Sequence, residues 1–330
     1  MPPVACMHMF PMHPLPCAHL APPICPPGEP AMPVQHSSLV GKTKALTCPM
    51  GIVHLLEALF TCIAFSVVAS NRGWWHANSM WCMFSWCFCF AVTLVMLLVE
   101  FVGLQHHMHV SWKNFHITFT MYASLFTLSA SVIYPFTEVK DEQYCLEQDY
   151  RIAATFFSCL ACMAYSVEVT MIHTTPGKVT GFMATMPGML KVVETFIACI
   201  IFFFIFNSMD QYWYVVLKWC LAVYCICFIL SLVVIVLCIS EWINWLPCAS
   251  NKILSGYTLL AVLLYATATI LWALYNFPSK HRQPKWDRYY WDHTFCAWDK
   301  PMAITVLSFI NMVVYLADLV CSAHLIFIQA

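Results

Sequence analysis

Four acidic side chains lie inside long apolar stretches at positions that match between the two halves of the chain: Glu57, Glu168, Glu194 and Asp318. A stretch of about 20 apolar residues is long enough to cross a lipid bilayer as a helix. A charged side chain at the centre of such a helix costs about 3 kcal/mol or more. The four acids are therefore candidates for a proton or cation site.

A structural role is the alternative, and the neighbouring residues favour it. His54 precedes Glu57 by three positions and Lys191 precedes Glu194 by three, which places each pair on one helix face. Tyrosines stand at the same spacing before the other two acids: Tyr165 and Tyr315. We therefore expect pairing of these acids within the protein rather than transport through it.

The composition indicates a membrane protein with many spans. Of the 330 residues, 61% are hydrophobic and 9% are charged, whereas soluble proteins carry roughly 25% charged residues. So few charges could not cover the outside of a water-soluble fold of this size. The composition thus argues against a soluble enzyme. The net charge of −1 gives no sign of a nucleic-acid partner.

Apolar runs alternate with short polar segments from residue 50 onward. Eight runs are long enough to span a bilayer, which predicts an all-α polytopic membrane protein with both termini on one side. The runs cover residues 50–70, 81–103, 115–136, 151–173, 188–206, 213–239, 253–276 and 302–328. Tryptophans near the run ends, among them Trp81, Trp112 and Trp272, are typical of aromatic belts at membrane interfaces.

The second half of the chain repeats the first. The first run aligns with the fifth at a shift of 137 positions, and the second aligns with the sixth at 138. The third and seventh runs are predicted to align at 141, and the fourth and eighth at 150. The equated pairs include Glu57 with Glu194, Cys82 with Cys220, Tyr134 with Tyr275 and Glu168 with Asp318. We predict a tail (1–45) followed by two four-helix units, 46–175 and 176–330.

Several strings in both units contain polar and aromatic residues that carry a family resemblance. They include 83–90 (MFSWCFCF), 129–135 (SASVIYP), 191–201 (KVVETFIACII) and 315–320 (YLADLV). Over roughly residues 45–328, the chain resembles the myeloid-associated differentiation marker family of double MARVEL-domain membrane proteins. The resemblance implies two tandem MARVEL-type four-helix bundles.

The resemblance also implies a function. It points to a non-enzymatic protein of the plasma membrane that organises ordered, cholesterol-rich (raft-like) domains and cortical or junctional assemblies. The implied partners are membrane lipids and membrane or cytoskeletal proteins, with a homo-oligomer as a further expectation. It places both termini in the cytosol, a question that the distribution of Lys and Arg leaves undecided. No catalytic residue, cofactor or metal ion is expected. A small transporter, or an ion or proton channel using the four acids, is the alternative.

The chain holds 19 cysteines, and those that recur at matched positions of the repeat are expected to pack in the core. Cys145 and Cys296 lie in the two long predicted outer loops, so a disulfide between them is an expectation. Cys82 and Cys220 are competitors for pairing near the same surface. Cys48, close to the start of the first span, is a candidate for S-acylation.

The first 45 residues differ from the rest because they are rich in Pro, Met, Cys and His. Proline at this density predicts a disordered tail. The Cys, His and Met side chains could bind a soft ion such as Cu(I). Their spacing is irregular, however, and solvated disorder is the favoured interpretation.

Overall fold

The computed structural model describes residues 48–70, 77–103, 111–136, 144–174, 182–206, 215–240, 250–276 and 299–329. Within these ranges the chain forms eight α-helices: α1 (Pro49–Ser70), α2 (Ala77–Val102), α3 (Trp112–Ile133), α4 (Tyr144–Thr174), α5 (Met186–Phe206), α6 (Val215–Ile239), α7 (Ser250–Asn276) and α8 (Asp299–Gln329). Two short 3-10 helices cover Tyr134–Phe136 and Phe182–Ala184. All eight α-helices are long and apolar enough to cross a membrane, which confirms the predicted all-α polytopic architecture.

Helix α4 departs most from its predicted bounds. It begins at Tyr144, inside a segment that was predicted as an outer loop, whereas its apolar part begins only at Asp149. Acidic residues are tolerated near a helix N-terminus because they interact favourably with the helix dipole. The helix therefore extends beyond the apolar span, and Cys145 lies in its first turn rather than in a loop.

The helices form two successive four-helix bundles. In the first bundle, α1 and α3 each pack against both α2 and α4; in the second, α5 and α7 each pack against both α6 and α8. Successive spans run in opposite directions, so α1 and α5 begin where α4 and α8 end. We call this the N-terminal side of the bundles.

The two cores are built from matched positions. In the first bundle, the indole N–H of Trp86 donates a hydrogen bond to Ser158 Oγ at 2.9 Å. In the second bundle, the equivalent Tyr224 and Ser308 hydroxyls lie 2.8 Å apart. These contacts agree with the predicted shifts of 138 between α2 and α6 and of 150 between α4 and α8.

The predicted shift of 141 between α3 and α7 is wrong, because the structure equates these helices at 138. The thiol of Cys82, on α2, lies 3.9 Å from the carbonyl oxygen of Ala130. The thiol of the equivalent Cys220, on α6, lies 3.5 Å from the carbonyl oxygen of Ala268. Both alanines are fully buried. The register of 141 matched Tyr134 with Tyr275, but Tyr134 is buried whereas Tyr275 is exposed.

Trp272 also belongs to this core and not to an interfacial belt. It is buried, and its indole N–H donates to the carbonyl oxygen of Pro301 at 3.3 Å. Trp81 is half-buried, and its indole N–H donates to Ser129 Oγ at 3.2 Å. Tryptophans predicted as interfacial thus contribute to helix packing at these two positions.

The bundles contact each other through α3, which packs against α5, α6 and the 3-10 helix Phe182–Ala184. The hydroxyls of Tyr122 and Thr195 lie 2.5 Å apart across this contact. The Asn114 side chain donates to the carbonyl oxygen of Cys238 at 3.1 Å. The described helices consequently belong to one compact unit.

Candidate functional site

The four acids meet in two places, one in each bundle. Glu57 and Glu194 lie near the beginning of α1 and α5, and Glu168 and Asp318 lie toward the end of α4 and α8. Because these helices run in opposite directions, all four acids reach the N-terminal side. All four are buried.

The polar cluster of the first bundle centres on two histidines. His54 Nε2 lies 2.6 Å from Glu168 Oε1 and 3.2 Å from His116 Nε2. His116 Nε2 also contacts the same carboxylate oxygen of Glu168. His54 Nδ1 lies 3.4 Å from Glu100 Oε2, on α2. Each of the four helices thus contributes to the cluster.

Glu57 lies against the same cluster without a complete set of partners. An oxygen of its carboxylate lies within 4.8 Å of a ring nitrogen of His54 and of a carboxylate oxygen of Glu168. His54, however, forms its ion pairs with Glu168 and Glu100. Glu57 Oε1 and Glu168 Oε2 are buried and have no hydrogen-bond partner. The expected His54–Glu57 pair is therefore replaced by pairing between helices, which leaves two carboxylate oxygens unsatisfied.

The cluster of the second bundle centres on a lysine. Lys191 Nζ lies 2.9 Å from Glu194 Oε2 and 2.8 Å from Asp318 Oδ2. The ammonium also lies 4.8 Å from the ring centroid of Tyr257 and 5.1 Å from that of Tyr315. The structure contains the Lys191–Glu194 pair that the sequence suggests and adds Asp318 to it.

Hydroxyl groups also donate hydrogen bonds to both carboxylates of the second cluster. Ser231 Oγ donates to Glu194 Oε2 at 3.1 Å, and Thr258 Oγ1 donates to Asp318 Oδ2 at 3.2 Å. The Ser231 hydroxyl also lies 2.8 Å from that of Tyr257. In this cluster one ammonium and neutral donors thus compensate Glu194 Oε2 and Asp318 Oδ2, while Glu194 Oε1 is buried without a hydrogen-bond partner.

Two members of the first cluster, His116 and Glu100, are not predicted from the repeat, because residues of another type stand at the equivalent positions of the second unit. At a shift of 138, His116 aligns with Leu254 and Glu100 aligns with Cys238. A search for polar residues that recur therefore passes over both. Their position in apolar runs was the available signal.

The described cysteines range from buried to exposed. Five of the described free thiols are buried, and the first four of them occupy matched positions, as predicted for core packing: Cys82, Cys89, Cys220, Cys227 and Cys238. Cys87 is exposed, so the core prediction is wrong there, and the matched Cys62, Cys199 and Cys225 are only partly buried. Cys48 is a free, exposed cysteine directly before α1, and its acylation stays a prediction. Cys296, the tail (1–45) and its Cu(I) ligands lie outside the described residues, so the proposed Cys145–Cys296 disulfide stays a prediction as well.

Two tandem four-helix units of apolar spans, each built around a buried polar cluster, define a multi-pass membrane protein with an internal duplication. Residues 45–171 and 182–321 match the MARVEL domain, a membrane-associating domain. The chain belongs to the myeloid-associated differentiation marker family of MARVEL proteins, which confirms the resemblance seen in its sequence.

Similar proteins cover nearly the whole chain. A myeloid-associated differentiation marker homolog of Xenopus laevis is 53% identical over 90% of this chain and 99% of its own length. The human myeloid-associated differentiation marker is 50% identical over 88% of this chain and 92% of its own. The human myeloid-associated differentiation marker-like protein 2 is 35% identical over 87% and 94%. No solved structure matches the chain significantly.

Proposed function

We propose that this protein is a non-enzymatic organiser of the plasma membrane. It gathers membrane and cytoskeletal partners in ordered, cholesterol-rich domains and at cortical or junctional assemblies. Both termini lie in the cytosol in this proposal, and self-association is one route to such assemblies. Membership of the MARVEL family, whose domain is described as membrane-associating, supports a role exerted within the membrane.

The observation that carries the proposal is the separation of apolar and charged surfaces. Large apolar side chains are exposed on all eight helices, whereas the four repeat-matched acids lie in the bundle interiors. The length and shape of an apolar surface determine which lipid environment a protein prefers. The membrane-facing exterior is therefore the part of this molecule that is suited to sorting it among lipid domains.

Partitioning of the full-length chain between coexisting ordered and disordered phases in cell-derived giant vesicles tests the proposal. We expect enrichment in the ordered phase, and a lower ratio after cholesterol extraction. Replacing the exposed Leu259, Leu263 and Ile270 of α7 by alanine changes the surface that faces lipid and should change the ratio. The buried substitution Thr258→Ser keeps its hydroxyl and should leave the ratio unchanged. An even distribution that ignores cholesterol would contradict the proposal.

A small ion or proton transporter is the second candidate. The unpartnered carboxylate oxygens of Glu57, Glu168 and Glu194 favour it, because such groups accept protons or cations readily. The closed ion pairs around Lys191 favour the structural role. Flux of protons or ions through the reconstituted protein separates the two candidates.

A further inference from the structure

Three donor atoms from three helices converge in the first bundle. The Nε2 atoms of His54 and His116 lie 3.2 Å apart, and both contact Glu168 Oε1. In a tetrahedral zinc site, bonds of 2.0–2.1 Å place neighbouring ligand atoms about 3.3 Å from each other. The separation of the two ring nitrogens is thus the one expected of two ligands of a single ion, whereas Glu168 Oε1, 2.6 Å from His54 Nε2, has to move away from both nitrogens when an ion enters.

Hydrogen bonds alone leave this cluster incomplete. The two Nε2 atoms face each other and compete for one carboxylate oxygen, while Glu57 Oε1 and Glu168 Oε2 have no partner. Glu57 is 1% exposed and Glu168 is 0% exposed, so these oxygens are not in contact with bulk water. One cation at the centre would accept lone pairs from both imidazoles and both carboxylates.

The surroundings of His54 resemble the outer shell of a metal site. A metal-bound histidine usually donates its other ring N–H to a carboxylate, which fixes the orientation of the ring. His54 Nδ1 lies 3.4 Å from Glu100 Oε2, which is an ion-pair distance but not yet a hydrogen bond. Glu100 is 27% exposed and lies near the end of α2, so it also connects the cluster to the N-terminal side, from which an ion could enter.

The second bundle provides an internal comparison. Lys191 occupies the position of His54, and its ammonium lies between the equivalents of the two first-bundle acids, Glu194 and Asp318. The second bundle therefore has the ammonium group of Lys191 at the position where the first bundle has the imidazole of His54, a potential metal ligand. His116 has an apolar counterpart, Leu254, so its imidazole is an addition to the first bundle alone.

We propose that the first bundle binds one divalent transition-metal ion through His54, His116, Glu168 and Glu57, and that Zn²⁺ fits the donor set best. Two imidazoles with two carboxylates suit zinc and its neighbours, whereas Mg²⁺ and Ca²⁺ prefer sites made of oxygen alone. Four protein ligands are typical of a structural zinc site. The ion joins α1, α3 and α4, and through Glu100 it also positions α2.

The metal site was not expected from the sequence, which predicted none. Its ligands come from three helices and form no local motif. The proposal does not depend on the role in ordered membranes, because metal content and lipid partitioning are measured separately and either could fail alone.

Metal analysis of the full-length protein tests the site. The chain is purified in nanodiscs, exposed to ZnCl₂, freed of loose metal and assayed by mass spectrometry. We expect about one zinc per chain, a rise in thermal stability on adding zinc to chelator-treated protein, and no such rise with MgCl₂. Cobalt should give the visible spectrum of a tetrahedral site. Zinc content far below one per chain together with no stabilisation would overturn the proposal.

Two variants of the first bundle sharpen the test. His54→Lys copies the arrangement of the second bundle, so the introduced ammonium can pair with the carboxylates while zinc is lost, with helicity and gel-filtration profile unchanged. Glu100→Gln should keep the ion but weaken its affinity roughly tenfold. Glu194→Gln, in the other bundle, keeps the Lys191–Asp318 ion pair; it is the matched control and should retain zinc. Unchanged zinc content in a folded His54→Lys protein would show that the metal binds elsewhere.

Discussion

Lys191 shows how a single residue makes two buried acids compatible with a membrane. Its ammonium contacts Glu194 and Asp318 at 2.9 and 2.8 Å, and all three side chains are fully buried. A charge buried in an apolar interior without compensation is very costly, whereas a paired and hydrogen-bonded set is tolerated. The acids are thus partners of Lys191 as much as they are candidate ion ligands.

Removing the lysine alone should therefore destabilise the protein strongly. We expect Lys191→Met to lower the free energy of unfolding by about 3 kcal/mol or more, because two carboxylates remain buried without their cation. Adding Glu194→Gln and Asp318→Asn should recover much of that loss. Unfolding in mixed micelles, followed by helicity, measures the three proteins.

Lys113 offers the control for this experiment because its side chain is exposed. Lys113→Met should change the free energy of unfolding by about 0.5 kcal/mol or less. If Lys191→Met were equally mild, the ion pairs around Lys191 would contribute no stability.

The sequence identifies the four buried acids, but it does not show which side chains they pair with. The four carboxylates stand out because charges are rare inside apolar runs. Their pairing depends on which helices become neighbours, and a single sequence does not encode that directly. His54 illustrates the point: its spacing suggested Glu57, but the packing of α1 against α4 brings it to Glu168.

Among the elements, α3 and α7 show what helix periodicity leaves undecided. Shifts of 138 and 141 differ by three residues, which is close to one turn of 3.6 residues. Either register keeps an apolar face in the core, so hydropathy does not separate them. The similar residue types at Tyr134 and Tyr275 favoured the wrong register, and burial of Ala130 and Ala268 identifies the right one.

The start of α5 is a further feature that only packing reveals. Gly188 lies against the backbone of Phe182 and Met183, and a Cβ atom at Gly188 would overlap the carbonyl oxygen of Phe182. We expect Gly188→Ala to lower stability by about 1–3 kcal/mol, because backbone atoms would have to move. Thermal unfolding of the purified protein measures the change.

Gly256, in α7, is the matched control for Gly188. A Cβ atom there would meet nothing within 4 Å, so Gly256→Ala should be neutral or stabilising by up to about 1 kcal/mol through helix propensity. Equal effects of the two substitutions would mean that the contact of Gly188 with the 3-10 helix is not tight.

For the whole molecule, the buried acidic, lysine and histidine side chains that the structure describes are confined to one half of each bundle. Among the described residues, the buried Asp, Glu, Lys and His side chains are seven, and all lie toward the N-terminal side: His54, Glu57, His116, Glu168, Lys191, Glu194 and Asp318. The opposite half is packed with aromatic rings. Trp86 contacts Tyr134 there with ring centroids 5.3 Å apart, and Tyr224 contacts Trp272 at 6.5 Å.

This asymmetry predicts that the intact protein does not conduct protons. A proton path needs exchangeable polar groups through the full membrane thickness, as transporters provide with chains of Asp, Glu or His. In liposomes containing a pH-sensitive dye, reconstituted protein should match protein-free vesicles when a proton gradient is imposed. Glu57→Gln combined with Glu194→Gln should change nothing. A proton flux that the native chain supports and this variant abolishes would reverse the conclusion, because the acids would then act as carriers rather than as internal partners.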